Sequence, residues 1–459
     1  MKMRNKFKHK NVLIIGLKKS GISCVNLLTK LGAFCYVFDD NKLLLKQIAF
    51  ESEVNVVNRI DEDIIKIMDY VVISPAVSIF SEYVKLAKLF GVPVISELEL
   101  GTYFARGKLV GITGTNGKTT TSSLVYEILK TAHKPSVLCG NIGEPITENI
   151  LPFKTIYVVE MSSFQLESAN KIKPNIAVIT NLTPNHLDRH LNFKNYREAK
   201  YNIFKNMSHL SHLILNYDDK NLRELKNRKI RPNIIWVSTK CEVDGYFVKD
   251  KIIYKKRNKK TIMLFDLSNI KLLGKHNEQN ILFAVAVCDI LKVKMELVKQ
   301  AVDNFEPLCH RLQFVKNVNG VDYVNDSKST TPDSTITAIS SLEKKPLILI
   351  LGGSDKGVSF DKLSKKISKT KNIRLVVVQG ETTKKIVKSL KKFGVKNFEI
   401  CANFYDAIKL ATARAVEGDT ILLSPACASF DAFSCFEERG EKFIEYVKDL
   451  NCEKKEISK

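Results

Sequence analysis

The chain has 459 residues, which exceeds the roughly 250 to 300 residues at which a single hydrophobic core stops growing, so its length predicts two or three domains. Hydrophobic residues make up 44% and charged residues 26% of the chain, close to the averages of globular proteins, which argues against a disordered or fibrous chain. The formal net charge of +23 comes from lysines spread along the whole sequence. We interpret it as a generally basic surface and not as a nucleic-acid site.

The cysteines and the N-terminus indicate the compartment. Ten cysteines are scattered along the chain and the closest pairs lack the spacing of zinc ligands, so we interpret them as reduced, mostly structural thiols. The basic N-terminal segment is followed by the apolar run Val12–Ile15, which is too short for a signal peptide. No stretch reaches the roughly 18 apolar residues of a membrane span. The sequence therefore predicts a cytoplasmic protein without stable membrane association.

Strand-like apolar runs alternate with helix-like segments over the first half of the chain, which predicts βαβ units, parallel sheets and the α/β fold class. The predicted strands of this part are Asn11–Ile15, Cys35–Phe38, Tyr70–Ile73, Lys108–Ile112, Ile156–Val159, Ile176–Thr180 and His212–Leu215. Short alternating segments with lysine-rich turns then follow, at Ile252–Tyr254 and Thr261–Phe265, and predict a small antiparallel addition. Helical patterning returns at Asn277–Leu291.

A third α/β pattern starts after Pro307. Its predicted strands are Val321–Val324, Leu347–Leu351, Leu375–Val378 and Thr420–Leu423. We find no short internal repeat and no low-complexity linker. Boundaries near residues 100 and 307 divide the chain into three predicted domains, 1–100, 101–307 and 308–459.

Segment 111–120 (GITGTNGKTT) joins a strand to the helical pattern of Thr121–Lys130 through a glycine-rich turn. Glycines let backbone amides wrap around phosphates, Lys118 supplies positive charge, and the Thr119 hydroxyl suits Mg²⁺. The first glycine of the general P-loop is replaced by Ile112, and Gly114 serves instead. The alternative, a chance Gly-Lys-Thr in a turn, is disfavoured by the strand before and the helix after. The segment therefore predicts binding of a nucleoside triphosphate.

The N-terminal strand runs into segment 16–21 (GLKKSG) and an apolar helix, and Asp39 and Asp40 close the next strand. This pattern is typical of a Rossmann-type turn, in which a helix N-terminus holds a diphosphate and an acidic residue meets a ribose or base. Its glycine spacing differs from the dinucleotide fingerprint Gly-x-Gly-x-x-Gly. The pattern therefore favours a nucleotide-sugar site over a dehydrogenase cofactor site.

Further motifs follow the phosphate-binding segment. They are 141–143 (NIG), 160–166 (EMSSFQL), 181–190 (NLTPNHLDRH), 196–200 (YREAK), 274–277 (GKHN), 310–311 (HR), 325–330 (NDSKST), 352–356 (GGSDK) and 424–429 (SPACAS). In this order, and together with segment 113–120, they resemble the motifs of the Mur ligase family over nearly the whole chain. The members that add D-glutamate are the most similar at 162–166 (SSFQL), at 355–357 (DKG) after the glycine pair, at SPACAS with 436–440 (FEERG), and in the Rossmann-like first domain.

The resemblance implies an ATP-dependent carboxylate–amine ligase that adds D-glutamate to UDP-N-acetylmuramoyl-L-alanine in bacterial peptidoglycan synthesis. ATP would convert the carboxylate to an acyl phosphate, which the amino group of D-glutamate attacks. The implied domains are a Rossmann-like N-terminal domain for the UDP-linked substrate, a central P-loop ATPase-like domain and a C-terminal Rossmann-like α/β domain for the amino acid and part of ATP. The implied partners are these small molecules alone, with no nucleic acid, and the implied state is a monomer.

The resemblance also implies a role for each matching residue. The residues implied to bind ATP are Gly114, Thr115, Asn116, Gly117, Lys118, Thr119, Thr120, Asn277, Asn280, Arg311 and Asp326. The residues implied to hold two Mg²⁺ ions are Thr119, Glu160, His186 and Lys200, and Lys200 would be carbamylated by CO₂. The catalytic residues are Lys118, Glu160, His186, Lys200 and Arg311. From the residues alone, Glu160 could be an exposed acid, His186 a surface or capping group, and Lys200 an ordinary helical lysine.

The two other substrates have their own implied residues. The residues implied to bind the UDP-linked substrate are Ser20, Gly21, Asp39, Asn141 and His186. The groups implied to bind D-glutamate are Thr330, Lys356, Ser429 and the backbone near Phe436. Lys328 would add positive charge near the reacting centre. Helix capping is the alternative for each serine or threonine of this set.

Four residues depart from the family pattern, and three other functions stay open. Lys18 and Lys19 replace small or apolar residues, Ala76 stands where Ser-Pro-Gly is common, and Gln313 stands where glutamate is common, although an amide oxygen can still accept a hydrogen bond. The open alternatives are a sibling ligase for another amino acid or a folate-like acceptor, a P-loop binding or regulatory protein without ligase chemistry, and a basic nucleic-acid binder.

Overall fold

The computed structural model describes residues 6–48, 50, 53–272, 274–306, 309–342 and 345–450. The predicted domain boundary at residue 307 and the first five residues of the basic N-terminal segment lie outside this part. The chain divides into two compact units, of which the first comprises 1–269 and 278–304, and the second 270–277 and 305–459. None of the described helices is both long and apolar enough to cross a membrane.

A five-stranded parallel sheet opens the first unit, in the order β3-β2-β1-β4-β5. Its strands are β1 Asn11–Ile15, β2 Phe34–Phe38, β3 Asn55–Val56, β4 Tyr70–Ile73 and β5 Val94–Ser96. Its helices are α1 Lys19–Lys30, α2 Lys42–Gln47, α3 Glu62–Lys66, α4 Glu82–Leu89 and α5 Glu97–Phe104. The order changes direction between β1 and β4, which places a crevice beyond the carboxyl ends of these two strands.

A nine-stranded sheet follows in the same unit, in the order β14-β13-β12-β11-β10-β9-β6-β8-β7. Its strands are β6 Gly107–Thr113, β7 Ser136–Gly140, β8 Thr155–Glu160, β9 Ile176–Ile179, β10 His212–Asn216, β11 Asn233–Ser238, β12 Gly245–Lys249, β13 Ile252–Arg257 and β14 Lys260–Asp266. Its helices are α6 Lys118–Thr131, α7 Ser163–Glu167, α8 Leu187–His190, α9 Phe193–Tyr201, α10 Lys220–Arg223, α11 Lys275–Ile290 and α12 Met295–Asn304, with 3₁₀ helices Ile146–Asn149 and Glu224–Asn227. The first three residues of α11, 275–277, belong to the second unit. Among the described strands of this sheet, β13 pairs antiparallel with β12 and β14 and the other pairs are parallel, which confirms the predicted antiparallel addition.

The second unit contains a six-stranded sheet in the order β15-β16-β20-β17-β18-β19. Its strands are β15 Gln313–Val318, β16 Val321–Asn325, β17 Leu347–Gly352, β18 Ile373–Gln379, β19 Phe398–Ile400 and β20 Thr420–Leu423. Its helices are α13 Pro332–Ser341, α14 Asp361–Lys369, α15 Thr383–Lys392, α16 Phe404–Arg414 and α17 Phe436–Asp449. All pairs are parallel except β15 with β16, and buried apolar clusters cover both faces.

The predicted α/β class is confirmed, and the predicted parallel strands lie within two residues of the observed ends. Strands such as β9 and β17 are buried along their whole length, so they appear in the sequence as continuous apolar runs. The described cysteines are free thiols, as expected.

A buried polar contact joins the helices of the first sheet to those of the second. Glu97 begins α5 and is fully buried, and its carboxylate accepts hydrogen bonds from the backbone N–H of Thr147 at 3.0 Å and from its hydroxyl at 2.9 Å. The Thr147 hydroxyl also lies 2.7 Å from Ser23 Oγ in α1. Burial raises the pKa of Glu97. Since unmatched polar groups at this depth are costly, these bonds fix how the two sheets of the first unit meet.

Candidate active site

The glycine-rich turn after β1 lies at the crevice where the order of the first sheet changes direction. Gly16 has a φ of +88°, and a Cβ there would lie 2.2 Å from Ser74 Oγ, so the loops after β1 and β4 pack directly together. A Cβ on Gly21 would lie 1.9 Å from the carbonyl oxygen of Gly16. Gly21 and the neighbouring Ser20 both belong to the first turn of α1, whose N-terminus faces this turn.

Asp39 holds the same turn in place. Its carboxylate accepts hydrogen bonds from the backbone N–H groups of Leu17 at 2.7 Å and of Asn41 at 2.9 Å. A carboxylate has about four lone-pair sites, so these two bonds leave capacity for hydroxyl groups of a ligand. Asp39 is therefore a structural residue of the turn as well as a candidate ligand.

Segment 111–120, which is the candidate phosphate-binding loop and is called the phosphate loop below, connects β6 to α6, as the predicted order of strand, turn and helix requires. Gly114 and Gly117 have φ values of +143° and +82°, in a region that side-chain-bearing residues rarely adopt. A Cβ on Gly114 would lie 1.9 Å from Thr180 Oγ1, and a Cβ on Gly117 would lie 2.4 Å from Asn280 Oδ1. The same Asn280 oxygen accepts a hydrogen bond from Thr121 Oγ1 at 3.4 Å. Asn280 therefore packs against the phosphate loop.

Helix α6 begins directly at the loop. Lys118 is its first residue, and the Lys118 amine donates to the carbonyl oxygen of Thr115 at 2.9 Å. Thr119 and Thr120 follow and are buried. The first backbone N–H groups of a helix have no partner inside the helix, so this end can receive phosphate oxygens.

The loop after β9 supports the phosphate loop from behind. Thr115 donates its backbone N–H to the carbonyl oxygen of Asn181 at 2.9 Å, and Asn116 donates its own to Asn181 Oδ1 at 2.9 Å. The carbonyl oxygen of Asn116 accepts from Thr180 Oγ1 at 2.6 Å and from Asn181 Nδ2 at 3.1 Å. The phosphate loop is thus held in shape by protein groups, which lowers the cost of ordering it on binding.

Glu160 ends β8 next to this loop, since it pairs with Ile112 of β6. The residue is 1% exposed. Its Oε1 accepts from Asn141 Nδ2 at 2.8 Å, whereas its Oε2 is buried and has no hydrogen-bond partner among the described residues. The backbone N–H of Asn141 also donates to the Glu160 carbonyl oxygen at 2.9 Å. Asn141 thus fixes the carboxylate and leaves one oxygen for a cation or a donor.

Lys200 lies on α9 and is 2% exposed. Its amine donates to the carbonyl oxygen of Gly114 at 2.8 Å and lies 4.8 Å from the ring centroid of Tyr196. Burial lowers the pKa of Lys200 well below its usual range, and the charge of Lys118 adds to this, whereas the charge of Glu160 opposes it. Lys200 is therefore a buried amine at the phosphate loop and not an ordinary surface lysine.

His186 precedes α8 with a φ of +53°, which is uncommon for a residue other than glycine. Its ring packs edge-on against Phe164, with ring centroids 4.8 Å apart. His186 is half-buried and belongs to the same unit as Glu160 and Lys200.

The donors at this centre suit Mg²⁺ only together with a substrate. The described residues contain no group of three or more His, Cys, Asp or Glu side chains arranged to hold a metal ion. Mg²⁺ is commonly held by one or two carboxylates, waters and substrate phosphates. The open oxygen of Glu160 beside the phosphate loop fits that pattern.

Asp326 follows β16 in the second unit and is buried. Its carboxylate accepts from Ser424 Oγ at 2.7 Å and from the backbone N–H of Leu312 at 3.2 Å. Burial raises the pKa of Asp326 to about 6, although hydrogen bonds from Ser329 and Ser424 and the charge of Arg311 lower it.

Arg311 stands in a turn with unusual backbone angles. The flanking residues His310 and Leu312 have φ values of +62° and +44°. The His310 backbone N–H donates to Gln313 Oε1 at 2.9 Å, so the amide supplies the acceptor that a glutamate would have supplied. The His310 ring nitrogen Nδ1 also lies 2.9 Å from Asn325 Nδ2.

Asn277 is buried in the second unit, at the start of α11, whereas Asn280 belongs to the first unit. Next to Asn277, burial together with the Arg311 charge lowers the pKa of His276 to about 4. These two asparagines, which the resemblance assigns to ATP, therefore belong to different compact units.

The expected D-glutamate ligands lie on three loops of the second unit. Thr330 follows β16, Lys356 follows β17 and Ser429 follows β20, and these three strands are neighbours and parallel. Their loops therefore leave the sheet at the same edge. Phe436 begins α17, and the Lys328 amine lies 5.0 Å from its ring centroid.

Arg439 is a supporting residue whose role the sequence motifs do not indicate. It is 1% exposed, and its guanidinium donates to the carbonyl oxygens of Ser327 at 2.8 Å, Cys427 at 3.2 Å and Ala428 at 3.0 Å. Nε also donates to Ser327 Oγ at 3.0 Å. One side chain thus joins the loop after β16 to the loop after β20. The only available signal was an arginine within the segment 436–440.

The departures in the first loop have definite positions. The Lys19 amine donates to the carbonyl oxygen of Gly143 at 3.2 Å and lies 2.7 Å from the Glu144 carboxylate, which links the turn after β1 to the loop after β7. The φ of Ala76 is not positive, so its backbone accommodates a Cβ without strain. Lys18 precedes α1 without a side-chain capping bond.

Comparison with protein families assigns all three parts of the chain. The model of a Mur ligase MurD-like N-terminal domain matches residues 10–96, that of a Mur ligase middle domain matches 112–288, and that of a Mur ligase glutamate ligase domain matches 310–427. The chain belongs to the Mur ligase family. It is therefore an enzyme of the ATP-dependent amide-ligase class.

Curated relatives match over nearly the full length. The UDP-N-acetylmuramoylalanine–D-glutamate ligase of Lachnoclostridium phytofermentans is 38% identical over 97% of this chain and 100% of its own. The ligase of the same name from Caldicellulosiruptor bescii is 38% identical over 96% and 98%. Among solved structures, a pseudomurein peptide ligase type C from Methanothermus fervidus has a TM-score of 0.61 at 19% identity over 95% of this chain and 100% of its own. UDP-N-acetylmuramate-alanine ligase MurC from Thermotoga maritima has 0.59 at 20% identity over 96% and 100%. At these identities the structures support the fold alone.

Proposed function

We propose that this enzyme joins D-glutamate to UDP-N-acetylmuramoyl-L-alanine, in the cytoplasmic part of peptidoglycan synthesis. The alanyl carboxylate takes the γ-phosphoryl group of ATP, which releases ADP and gives an acyl phosphate. The amino nitrogen of D-glutamate then attacks the acyl carbon, the C–N bond forms, phosphate leaves and the nitrogen loses a proton. The substrate assignment is supported by relatives of that name, which match this chain nearly end to end.

The observation that carries the chemistry is the open Oε2 of Glu160. It is buried beside the phosphate loop without a hydrogen-bond partner among the described residues, while Asn141 holds the other oxygen. Such an oxygen suits Mg²⁺, which supplies charge neutralisation for phosphoryl transfer when bound. We assign Thr119, Glu160 and His186 to hold Mg²⁺, and Lys118 to neutralise the phosphates.

We further propose that Lys200 reacts with CO₂. Its neutral amine forms an N–C bond to CO₂ and loses a proton, which gives a carbamate. The burial of this amine favours its neutral form, which is the nucleophile in this step. The resulting carboxylate would be one more oxygen ligand for Mg²⁺, at a position beside the phosphate loop.

The remaining assignments follow the same proposal. Residues 1–100, with Ser20, Gly21 and Asp39, receive the UDP-linked substrate, and residues 101–307 receive ATP, with Asn141 near the reacting carboxylate. Residues 308–459 supply Arg311 and Asp326 to ATP. Thr330, Lys356 and Ser429 bind D-glutamate, and their three loops leave neighbouring strands at the same sheet edge.

Phosphate release from ATP tests the proposal. Purified enzyme is given UDP-N-acetylmuramoyl-L-alanine with D-glutamate, L-glutamate, L-lysine or no amino acid. We expect release only with D-glutamate, together with a product of matching mass. Release with another amino acid would keep the ligase chemistry and replace the substrate, whereas no release with any of them would overturn the proposal.

A further inference from the structure

Arg189 bridges the two sheets of the first unit. Its guanidinium donates from Nη1 to the carbonyl oxygens of Pro75 at 2.9 Å and Ala76 at 3.3 Å, and from Nη2 to that of Val77 at 3.2 Å. These three successive carbonyl groups belong to the loop after β4, which borders the crevice of the first sheet. Arg189 itself lies in α8, directly after His186 in the domain of the second sheet.

The rest of the guanidinium is held from the second sheet. Glu167 Oε2 accepts from Arg189 Nε at 3.2 Å and from Nη2 at 3.0 Å, and the guanidinium carbon lies 4.3 Å from the ring centroid of Phe164. The Arg189 side chain is 16% exposed and that of Glu167 is 8% exposed. An arginine has five N–H donors, and these five hydrogen bonds can use them all. A lysine offers three donors and no planar fork, so it cannot replace this arrangement.

The same network continues to the phosphate loop. Glu167 Oε1 lies 3.7 Å from His190 Nδ1, and His190 Nε2 lies 3.0 Å from Ser163 Oγ. The His190 ring packs edge-on against Tyr196, with centroids 5.4 Å apart. The Tyr196 hydroxyl lies 3.0 Å from Thr115 Oγ1. A continuous set of buried contacts therefore connects the loop after β4 to the loop that is expected to hold ATP.

We propose that Arg189 is a positioning residue that sets the loop after β4 at a fixed place relative to Glu160 and Lys200. This inference rests on the proposed function, in which the UDP-linked substrate is held at the crevice of the first sheet and reacts at the end of the second. A substrate held at two places reacts only if the two places keep their distance. A misplacement of about 1 Å can cost about 10²-fold in rate. The Arg189 guanidinium supplies this constraint because it donates hydrogen bonds to three carbonyl groups of the loop.

Steady-state kinetics of Arg189→Ala test the role. We expect kcat/KM for the UDP-linked substrate to fall by about 10²-fold, with the KM values for ATP and D-glutamate within about twofold of the original enzyme. Arg189→Lys should recover only part of the loss, and added guanidinium ion should partly rescue the alanine variant. Arg414→Ala, which removes an exposed arginine paired with Glu399, is the matched control and should behave as the original enzyme. An unchanged kcat/KM, or equal changes in all three KM values, would overturn the inference.

Hydrogen exchange of the loop after β4 tests the same role without turnover. The Val77 backbone N–H donates to the Ser74 carbonyl oxygen at 3.0 Å, so it reports on the conformation of the loop. Arg189→Lys and Arg189→Ala should both exchange faster at this amide than the original enzyme and Arg414→Ala. Unchanged exchange would refute the positioning role. If the original enzyme does not use UDP-N-acetylmuramoyl-L-alanine, the proposed function fails, and the exchange result still decides whether Arg189 holds the loop.

Discussion

The buried amine of Lys200 donates a hydrogen bond to the carbonyl oxygen of Gly114, 2.8 Å away, in the loop that is expected to wrap the phosphates of ATP. This contact places the side chain where an added carboxylate would stand beside the phosphates. We predict that Lys200→Ala lowers the rate of phosphate release by about 10- to 100-fold, because a group that orients the metal site is lost. Short carboxylic acids such as formate should restore part of the rate.

The carbamate itself gives a direct readout. Enzyme equilibrated with ¹³C-labelled CO₂ should show one carbamate resonance that is missing from Lys200→Ala. Lys205→Ala, which alters a lysine outside the helix α9 that carries Lys200, is a control and should keep both the resonance and the rate. Full activity of Lys200→Ala without added carboxylate would refute the carbamate.

Glu160→Gln separates the metal role from a packing role. The glutamine keeps Oε1 as the acceptor for Asn141 but replaces the open Oε2 by an amide group. We predict a fall in phosphate release of about 10²- to 10³-fold, because electrostatic stabilisation of the transferring group is lost. Titration with Mg²⁺ should show that the variant binds the ion more weakly and needs a higher Mg²⁺ concentration for half-maximal activity. Its melting temperature should stay within a few degrees of that of the original enzyme. Glu148→Gln, which changes an exposed residue of the same unit, is the control and should leave the rate of phosphate release and the Mg²⁺ requirement unchanged. A normal rate for Glu160→Gln would refute the assignment of Glu160 to the metal.

Lys118→Ala tests the phosphate loop. Lys118 begins α6 and its amine donates to the Thr115 carbonyl oxygen across the loop. We predict that ATP turnover is abolished, because the positive charge next to the transferring phosphoryl group is lost. Lys130→Ala, at the exposed far end of the same helix, is the matched control. Turnover of Lys118→Ala close to the original value would show that this loop is not the phosphate site.

The buried strands were predictable because their residues are apolar on both faces. Tyr70–Ile73 and Thr420–Leu423 lie at the predicted residues. The short or more exposed strands β3 and β19 were not predicted, since Asn55–Val56 and Phe398–Ile400 lack a long apolar run. The order of the strands could not be read from the sequence either, because pairing is set by contacts between distant segments.

The loop conformation at the candidate site was predictable where a backbone conformation demands a residue type. Gly114 and Gly117 mark the phosphate loop because a Cβ would collide with Thr180 or Asn280. The role of Arg189 left no such signal, because its partners include three backbone carbonyl groups that any residue could supply. The same reason hides the role of Arg439.

Asp326 should make stability depend on pH. Its pKa is about 6 in the folded chain against an ordinary 3.8, so the folded state favours the protonated form. This contribution is fully present below the ordinary pKa and is lost as the pH rises to about 6, at a total cost of about 3 kcal/mol. Asp326→Asn removes the titration. Its melting temperature relative to the original enzyme should therefore rise between about pH 4 and pH 6 and then stay level. A difference that is constant over this range would show that folding does not raise the pKa of Asp326.

Arg439 should support both the stability of the second unit and the binding of D-glutamate. Its guanidinium joins the loops after β16 and β20, and truncation to alanine leaves the carbonyl groups of Ser327 and Cys427 buried without these donors. We predict that Arg439→Ala lowers the free energy of unfolding by about 3 kcal/mol. Because Ser429, which we propose as a ligand of D-glutamate, belongs to one of the two loops that Arg439 joins, the KM for D-glutamate should also rise, while the KM for the UDP-linked substrate stays the same. Calorimetry and steady-state kinetics measure the two effects, and Arg439→Lys should lie between. If Arg439→Ala melts and binds D-glutamate as the original enzyme does, the two loops keep their positions without the guanidinium, and the support must come from the sheet beneath them.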